Sequence, residues 1–282
     1  MRGSEERWRL IVDGAGRGDW NMAVDEALLQ EGISSGIPPT LRLYWWDPHT
    51  LSLGANQDAA GSVDWEALAR DGYGAVRRPT GGRSILHAQE LTYSVTAPSP
   101  PGGTLAAYRW IAAGLEAGLE EAGVQVGLER SRRSGASGIG TRHPCFAAAG
   151  RYELVDGAGR KVVGSAQRRR RGWLMQHGSI LLGPEHLRLP RYLAGNDGEA
   201  EAERLSRVTV DCATLLGRPV AAEDLTGPFA EGFARGMGVE LQPGDLEPSE
   251  RERAEELRTR RFSTESWTRE GRREETGSRA GA

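Results

Sequence analysis

The chain has 282 residues, of which 38% are hydrophobic and 27% charged, with a formal net charge of −3. That length and apolar content suit one globular catalytic domain over residues 1–245, a C-terminal helical extension over 246–270 and a tail from 271 to 282. The acidic balance argues against a whole-protein nucleic-acid binder, and no apolar run reaches the roughly 18 residues of a membrane span. The opening Met-Arg-Gly-Ser-Glu-Glu-Arg lacks an apolar signal core, so a cytoplasmic location without membrane partners is expected. Cys145 and Cys212 could form at most one bridge, and in a reducing compartment both are expected as free thiols.

The hydrophobic period alternates between about 2 and about 3.6, which predicts interleaved strands and helices, a mixed α/β (α+β) class. Trp8, Leu10 and Val12 alternate as a strand, and Trp20, Ala23, Val24, Ala27 and Leu28 recur as a helix behind Asp19 as its cap. Leu41, Leu43 and Trp45 predict a strand, as do Tyr73–Arg78 and Leu91, Tyr93 and Val95. A helix is expected from Thr104 to Glu121, ended by Gly123. Strands follow near Arg151–Val155, Lys161–Ala166 and Trp173–Leu182. A polar stretch at Gly195–Glu203 precedes helices at Leu205–Leu216, Ala222–Met237 and Glu250–Arg261, the last with Ser249 and Glu252 at capping-box spacing.

Of the 36 basic side chains, only Lys161 is a lysine. Arginine supplies charge and hydrogen bonds equally well but stays protonated, whereas an ammonium can give up its proton when desolvated. A lone lysine in an arginine-rich chain marks a position for amine chemistry, unless coding bias alone left it there.

Chemistry-bearing residues gather in two segments. In the first, Arg77 and Arg78 precede Pro79, Thr80, Gly81, Gly82 and Arg83, with His87 shortly after. Adjacent glycines permit positive φ and close approach of a ligand to backbone N–H groups, and arginines pair with carboxylates or phosphates. That pattern fits an extended anionic substrate; an ordinary glycine turn with solvated arginines would read the same from two glycines alone. It matches neither the dinucleotide fingerprint nor the P-loop, whose lysine follows a glycine. In the second segment Cys145 and Lys161 are 161 − 145 = 16 residues apart, a distance that one hairpin can close. A thiol beside an ammonium is a good nucleophile, since the cation favours the thiolate. A small buried hydrophobe is the competing reading of Cys145, and the favoured one for Cys212. The five histidines show no metal-ligand spacing, so no metal is expected.

These residues resemble the biotin/lipoate attachment superfamily. The resemblance is carried by the Arg-Arg-x-x-Gly-Gly turn with His87, by Pro-His-Thr-Leu-Ser-Leu-Gly54 upstream and by Lys161-x-x-Gly164-Ser165-Ala166, and it spans about residues 30–240. Thr80-Gly-Gly-Arg83 and Pro144-Cys-Phe146 are similar to the cysteine-dependent octanoyltransferase branch. ATP-dependent lipoate ligases typically carry a third glycine where this chain has Arg83. Family members often have a polar residue after the histidine, where this chain has Ala88.

The resemblance implies a central mixed sheet with a smaller second sheet and flanking helices, the biotin/lipoate protein ligase catalytic-domain fold. It also implies an acyltransferase. Cys145 would take an octanoyl group from octanoyl-acyl carrier protein as a thioester and pass it to a lysine of a lipoyl domain or glycine cleavage H protein. Lys161 would stabilise the thiolate and assist amide formation. Arg77, Arg78, Thr80, Gly81, Gly82, Arg83, His87, Gly164, Ser165, Ala166 and His177 would bind substrate. No cofactor, metal or nucleic acid would be needed, and the chain would act as a monomer. Two sister activities fit less closely: an amidotransferase moving octanoyl or lipoyl groups between proteins, and an ATP-dependent lipoate ligase. Arg168–Arg171 read as a hairpin loop that could dock the acidic carrier protein by charge.

Overall fold

A computed structural model of the chain describes residues 6–59, 61–129, 153–195 and 197–271. Its frame is a six-stranded mixed sheet in the order β11-β1-β2-β6-β10-β9. The strands are β1 (Glu6–Gly16), β2 (Thr40–Trp46), β6 (Glu90–Pro98), β9 (Val163–Arg170), β10 (Trp173–Leu181) and β11 (Val239–Pro243). β1 runs parallel to β2 and β11, and the β2, β6, β10 and β9 ladders are antiparallel.

Alternation along these strands sends two sets of side chains to opposite faces, and helices cover both. Leu41, Leu43, Leu91, Tyr93, Val95 and Ile180 meet α3 (Gly103–Glu121) and α6 (Ala222–Met237) through Ile111, Leu115, Phe229 and Phe233. On the other face Ile11, Tyr44 and Trp46 meet α1 (Gly18–Ser35) through Met22, Ala23, Val24, Ala27 and Leu28. Burying a large side chain of this kind contributes about 1.5–3 kcal/mol, so the amphipathic pattern suffices to fix α1 against the sheet. Beyond α1 a three-stranded sheet, β4-β3-β5, is formed by β3 (Thr50–Leu53), β4 (Gly74–Arg77) and β5 (Ile85–His87), with α2 (Trp65–Arg70) between β3 and β4 in the chain. A third ladder joins β7 (Gly127–Glu129) to β8 (Glu153–Val155).

Several expectations shift. Asp19 lies inside the first turn of α1, where its side chain accepts from the Trp20 N–H, and the cap position is Arg17. The stretch Leu205–Leu216 is two helices, α4 (Gly198–Val208) and α5 (Cys212–Leu216). The break is where Thr209 pairs with Lys161 as an isolated parallel bridge and Asp211 caps α5 through the Thr214 N–H. α4 starts inside the stretch read as polar coil, capped by Asp197. The last α-helix, α7 (Pro248–Leu257), begins two residues earlier than its predicted box, with Glu247 and Glu250 as the reciprocal pair. Ser249 and Glu252 have the spacing, but proline at the first helical position selects the frame that starts at Glu247.

Residues 246–270, expected as a helical extension, pack onto α1 and β4. Trp267 exchanges two hydrogen bonds with Arg77: the indole N–H donates to the Arg77 carbonyl, and Arg77 Nε donates to the Trp267 carbonyl.

Candidate active site

Between the α1-facing side of the large sheet and the turn after β4 lies a small cavity of about 20 Å³. Met22, Tyr44, Trp46, Ile85, His177 and Ala166 are among its walls, with Arg78, His87, Thr92 and Gly164. Its polar walls turn their hydrogen-bonding atoms away from the space and into two buried relays.

In the first relay the Asp25 carboxylate accepts from His177 Nδ1 at 2.9 Å, and His177 Nε2 meets the Thr80 hydroxyl at 2.7 Å. Asp25 also accepts from the Tyr44 hydroxyl at 2.9 Å and from Arg42 at 2.9 Å. An ionised Asp25 fixes the tautomer, so Nδ1–H donates and Nε2 accepts the Thr80 proton. Burial alone would push the Asp25 carboxyl up, but the His177 hydrogen bond and the Arg42 charge outweigh it and hold it below the usual carboxylate value.

In the second relay Glu90 accepts from His87 Nδ1 at 2.8 Å, and His87 Nε2 meets Ser52 Oγ at 2.6 Å. Ser52 Oγ accepts from Arg78 at 2.7 Å, and the other Arg78 nitrogen donates to the carbonyls of Gly81 and Arg83. Glu90 further accepts from Thr92 and from Ser179, and Thr92 takes the Trp46 indole N–H at 2.8 Å. Trp46 lies flat on the His87 ring. Burial lowers the His87 value despite Glu90 beside it. Burial would raise Glu90, but His87, Ser179 and Thr92 together bring it below its ordinary value.

Both relays therefore end on one turn. Thr80 is held through its hydroxyl, and Gly81 and Arg83 through their carbonyls. Gly82 sits at φ +101°, and the turn lies so close to β3 that a side chain at Gly54 would run into the Gly82 carbonyl oxygen.

The remaining candidates divide. Arg77 does not line the cavity; its guanidinium is spent on the carbonyls of Gly54, Gln57, Trp267 and Arg269. Arg78 is committed to Ser52 and to the turn, so both guanidinium groups are engaged within the protein, neither solvated nor presented to an anion. Gly164 and Ala166 face the cavity, opposite Ser179 and His177 in the ladder. Ser165 points to the other face of the sheet, where its hydroxyl meets Tyr93 at 2.7 Å, because strand alternation separates it from its neighbours.

Lys161 precedes β9, and its ammonium reaches Glu153 Oε1 at 2.6 Å. Cys145 lies outside the described residues. The strands that bracket its segment are paired, Glu129 opposite Glu153, so the chain leaves and returns at adjacent points beside Lys161. Cys212 is fully buried at the start of α5, and burial pushes its thiol up to about 12.

The arginine run differs from its expected form. Arg168, Arg169 and Arg170 belong to β9, and only Arg171 and Gly172 make the turn. Arg168 is paired with the buried Glu26 at 2.7 Å.

Asp25, Arg42, Tyr44 and Trp46 build the cavity wall and its relays and were not singled out from sequence, and Glu90 and Ser52 entered there only as members of longer segments. One signal was present: Asp25 and Glu26 interrupt the apolar run of α1, and an acid on a buried helix face needs a partner.

A model of the lipoyl protein ligase A/B catalytic domain matches residues 18–234. The chain belongs to this family. Within the lipoyl protein ligase A/B family it is 42% identical to the octanoyltransferase LipM of Kyrpidia tusciae over 92% of this chain and 98% of that protein. It is 36% identical to the octanoyltransferase LipM of Bacillus subtilis over 93% of this chain and 98% of that one. Among solved structures, the bi-partite lipoate protein ligase of Thermoplasma acidophilum superposes with a TM-score of 0.80 at 20% identity, covering 98% of this chain and 100% of that chain. A lipoate-protein ligase A bound with ATP gives 0.75 at 20% identity, covering 93% and 98%. At that identity the shared property is the fold, which is the mixed α/β architecture expected from the sequence.

Proposed function

We propose that the chain is an octanoyltransferase of protein lipoylation. The observation that carries this reading is the identity of 36% and 42%, over more than nine-tenths of the chain, to proteins named octanoyltransferase LipM. The cavity supports it. Its exposed lining is apolar, as a site for a saturated acyl chain requires, and its walls must part to admit an octanoyl group, since the closed space is about 20 Å³. Arg77 and Arg78 are bound to carbonyls within the protein, which disfavours a triphosphate at this turn.

The reaction follows in two half-steps. The Cys145 thiolate attacks the octanoyl thioester of an acyl carrier protein; a sulfur–carbon bond forms to Cys145, the carrier's carbon–sulfur bond breaks, and the carrier leaves as a thiol by taking the proton of the Lys161 ammonium, which leaves that amine neutral for the second half-step. A lysine amine of a lipoyl domain or glycine cleavage H protein then attacks the enzyme thioester. The amide forms, Cys145 leaves as thiolate, and the amine proton passes to a base, the role given to Lys161. Thioester-to-amide transfer is downhill and consumes no ATP. The reaction would take place in the cytoplasm on a monomer.

Mass spectrometry after mixing the protein with octanoyl-acyl carrier protein, without ATP, tests the scheme. One octanoyl group on Cys145, released by neutral hydroxylamine and transferred to apo-H protein, is the expected result. Acylation only from octanoate and ATP would make it a ligase, and acylation only from an octanoylated protein would make it an amidotransferase.

A further inference from the structure

Lys161 is held at three points that do not depend on one another. Its N–H donates to the Val208 carbonyl at 2.8 Å, and its own carbonyl accepts from the Val210 N–H at 3.0 Å. Its side chain ends on Glu153 at 2.6 Å, with the lysine side chain 8% and the glutamate side chain 18% exposed. The backbone is thus clamped by the segment between α4 and α5, and the amine by β8. A lysine side chain has four rotatable bonds, and without a partner its amine would sample many positions.

Among the described residues, the charged groups of the neighbouring turns have partners of their own. Asp156 binds Arg160 and the Ala158 and Arg160 N–H groups. Asp211 caps α5 through Thr214, and His186 meets the Thr209 hydroxyl. Glu129 stands directly opposite Glu153 in the β7–β8 ladder. Like charges in that register repel, and the Lys161 ammonium offsets the repulsion at Glu153.

We infer that Glu153 is a positioning residue for Lys161: its carboxylate sets where the sole lysine amine of the chain stands during acyl transfer. The inference rests on the proposed octanoyl transfer. It adds a residue that acts through Lys161 and touches no substrate. A displacement of an acid/base group by about 1 Å can cost about 10² in rate, so a carboxylate that holds the amine should be visible in turnover and not in substrate binding.

The single lysine makes the test direct. In protein labelled with ¹⁵N-lysine, the side chain gives one Nζ signal, and ion pairing slows exchange of its protons with water. That signal should be present in the wild type and in Glu153→Asp and lost in Glu153→Gln, in all cases with a folded protein by circular dichroism. In parallel, octanoyl transfer from a small octanoyl thioester to apo-H protein should show kcat reduced about 10-fold or more in Glu153→Gln. KM for the thioester should stay within about twofold, and Glu153→Asp should recover much of the loss. Unchanged kcat in Glu153→Gln, or an aspartate variant no better than the glutamine one, would overturn the inference. Absence of transfer by the wild type would instead overturn the proposed function, leaving the Nζ signal to decide whether Glu153 holds the lysine.

Discussion

Asp25 and His177, separated by 152 positions in the chain, meet through Oδ2 and Nδ1 at 2.9 Å in the wall of the cavity. The contact joins α1 to β10 and passes through the ring to Thr80, so a helix residue far from the glycine turn helps to hold it. Asp25 is also the counterion of the fully buried Arg42. Replacing it with alanine leaves that guanidinium with Asp13 as its remaining carboxylate and strands the His177 N–H. A loss of about 3–5 kcal/mol is expected, the usual effect of breaking a buried pair from one side. Urea unfolding measures it. Thr80→Val removes only the terminal hydroxyl and should cost about 1–3 kcal/mol. Equal midpoints for Asp25→Ala and wild type would show that the relay does not brace the fold.

The Glu90–His87 pair gives stability a pH dependence whose sign is fixed by the two directions. His87 titrates below its ordinary 6.5 in the folded protein, so its contribution is present above 6.5 and is lost as pH falls towards the lower folded value. Glu90 titrates below its ordinary 4.5, so its contribution is present above 4.5 and is lost as pH falls through the folded value. Thermal stability should therefore decline on acidification from about pH 6.5 downwards. In His87→Gln, which carries no titrating ring, the first part of that decline should flatten. Scanning calorimetry of both proteins between pH 7 and 4 checks this, and identical slopes would remove His87 as a source.

Much of this architecture could be read from periodicity, because burial on one face leaves a regular trace. β2, β6, α3 and α6 were placed that way, and their inward residues are Leu43, Tyr93, Ile111 and Phe229. The relays left no such trace. Asp25, Glu90 and Ser52 meet their partners across sheets and helices, and spacing along a chain does not encode distances through space. Arg77 shows the converse error. Its motif promised an anion site, but the C-terminal segment, nearly 200 residues away, supplies the carbonyls of Trp267 and Arg269 that take its guanidinium.

The two cysteines should separate cleanly by reactivity. Cys212 is fully buried and its thiol is pushed up to about 12, so iodoacetamide at neutral pH should leave it untouched in the native protein. Cys145 should be alkylated, and Cys145→Ala should abolish octanoyl transfer while Cys212→Ala retains most of it. Peptide mapping after native and denaturing alkylation reads both sites. Preferential native labelling of Cys212 would sink the assignment of the nucleophile.

The arginine hairpin should act in two parts. Arg168 is tied to Glu26, so Arg168→Gln is expected to lower stability because it leaves a buried carboxylate without that partner. Arg169, Arg170 and Arg171 lie towards the β9–β10 turn, and replacing all three with glutamine should raise the apparent KM for acyl carrier protein. Added salt should reproduce the rise by screening, while activity with a small octanoyl thioester stays nearly constant. Equal losses with both donors would mean that these arginines shape the site itself.

Lys161→Arg asks whether the lone lysine supplies only charge. Arginine keeps the cation and can still pair with Glu153, so part of the thiolate reactivity of Cys145 towards iodoacetamide should survive. Arginine does not give up its proton, however, and cannot serve as the base that takes one from the incoming amine. Amide formation should therefore fall by about 10² or more, the usual size of a lost acid/base contribution, while the octanoyl-enzyme thioester accumulates. Lys161→Ala should lose both, because neither charge nor amine remains. Single-turnover acylation and transfer, followed separately by mass spectrometry, distinguish the two steps. Wild-type transfer by the arginine variant would show that fixed charge is enough, and the survival of one lysine among 36 basic residues would then be an accident of composition.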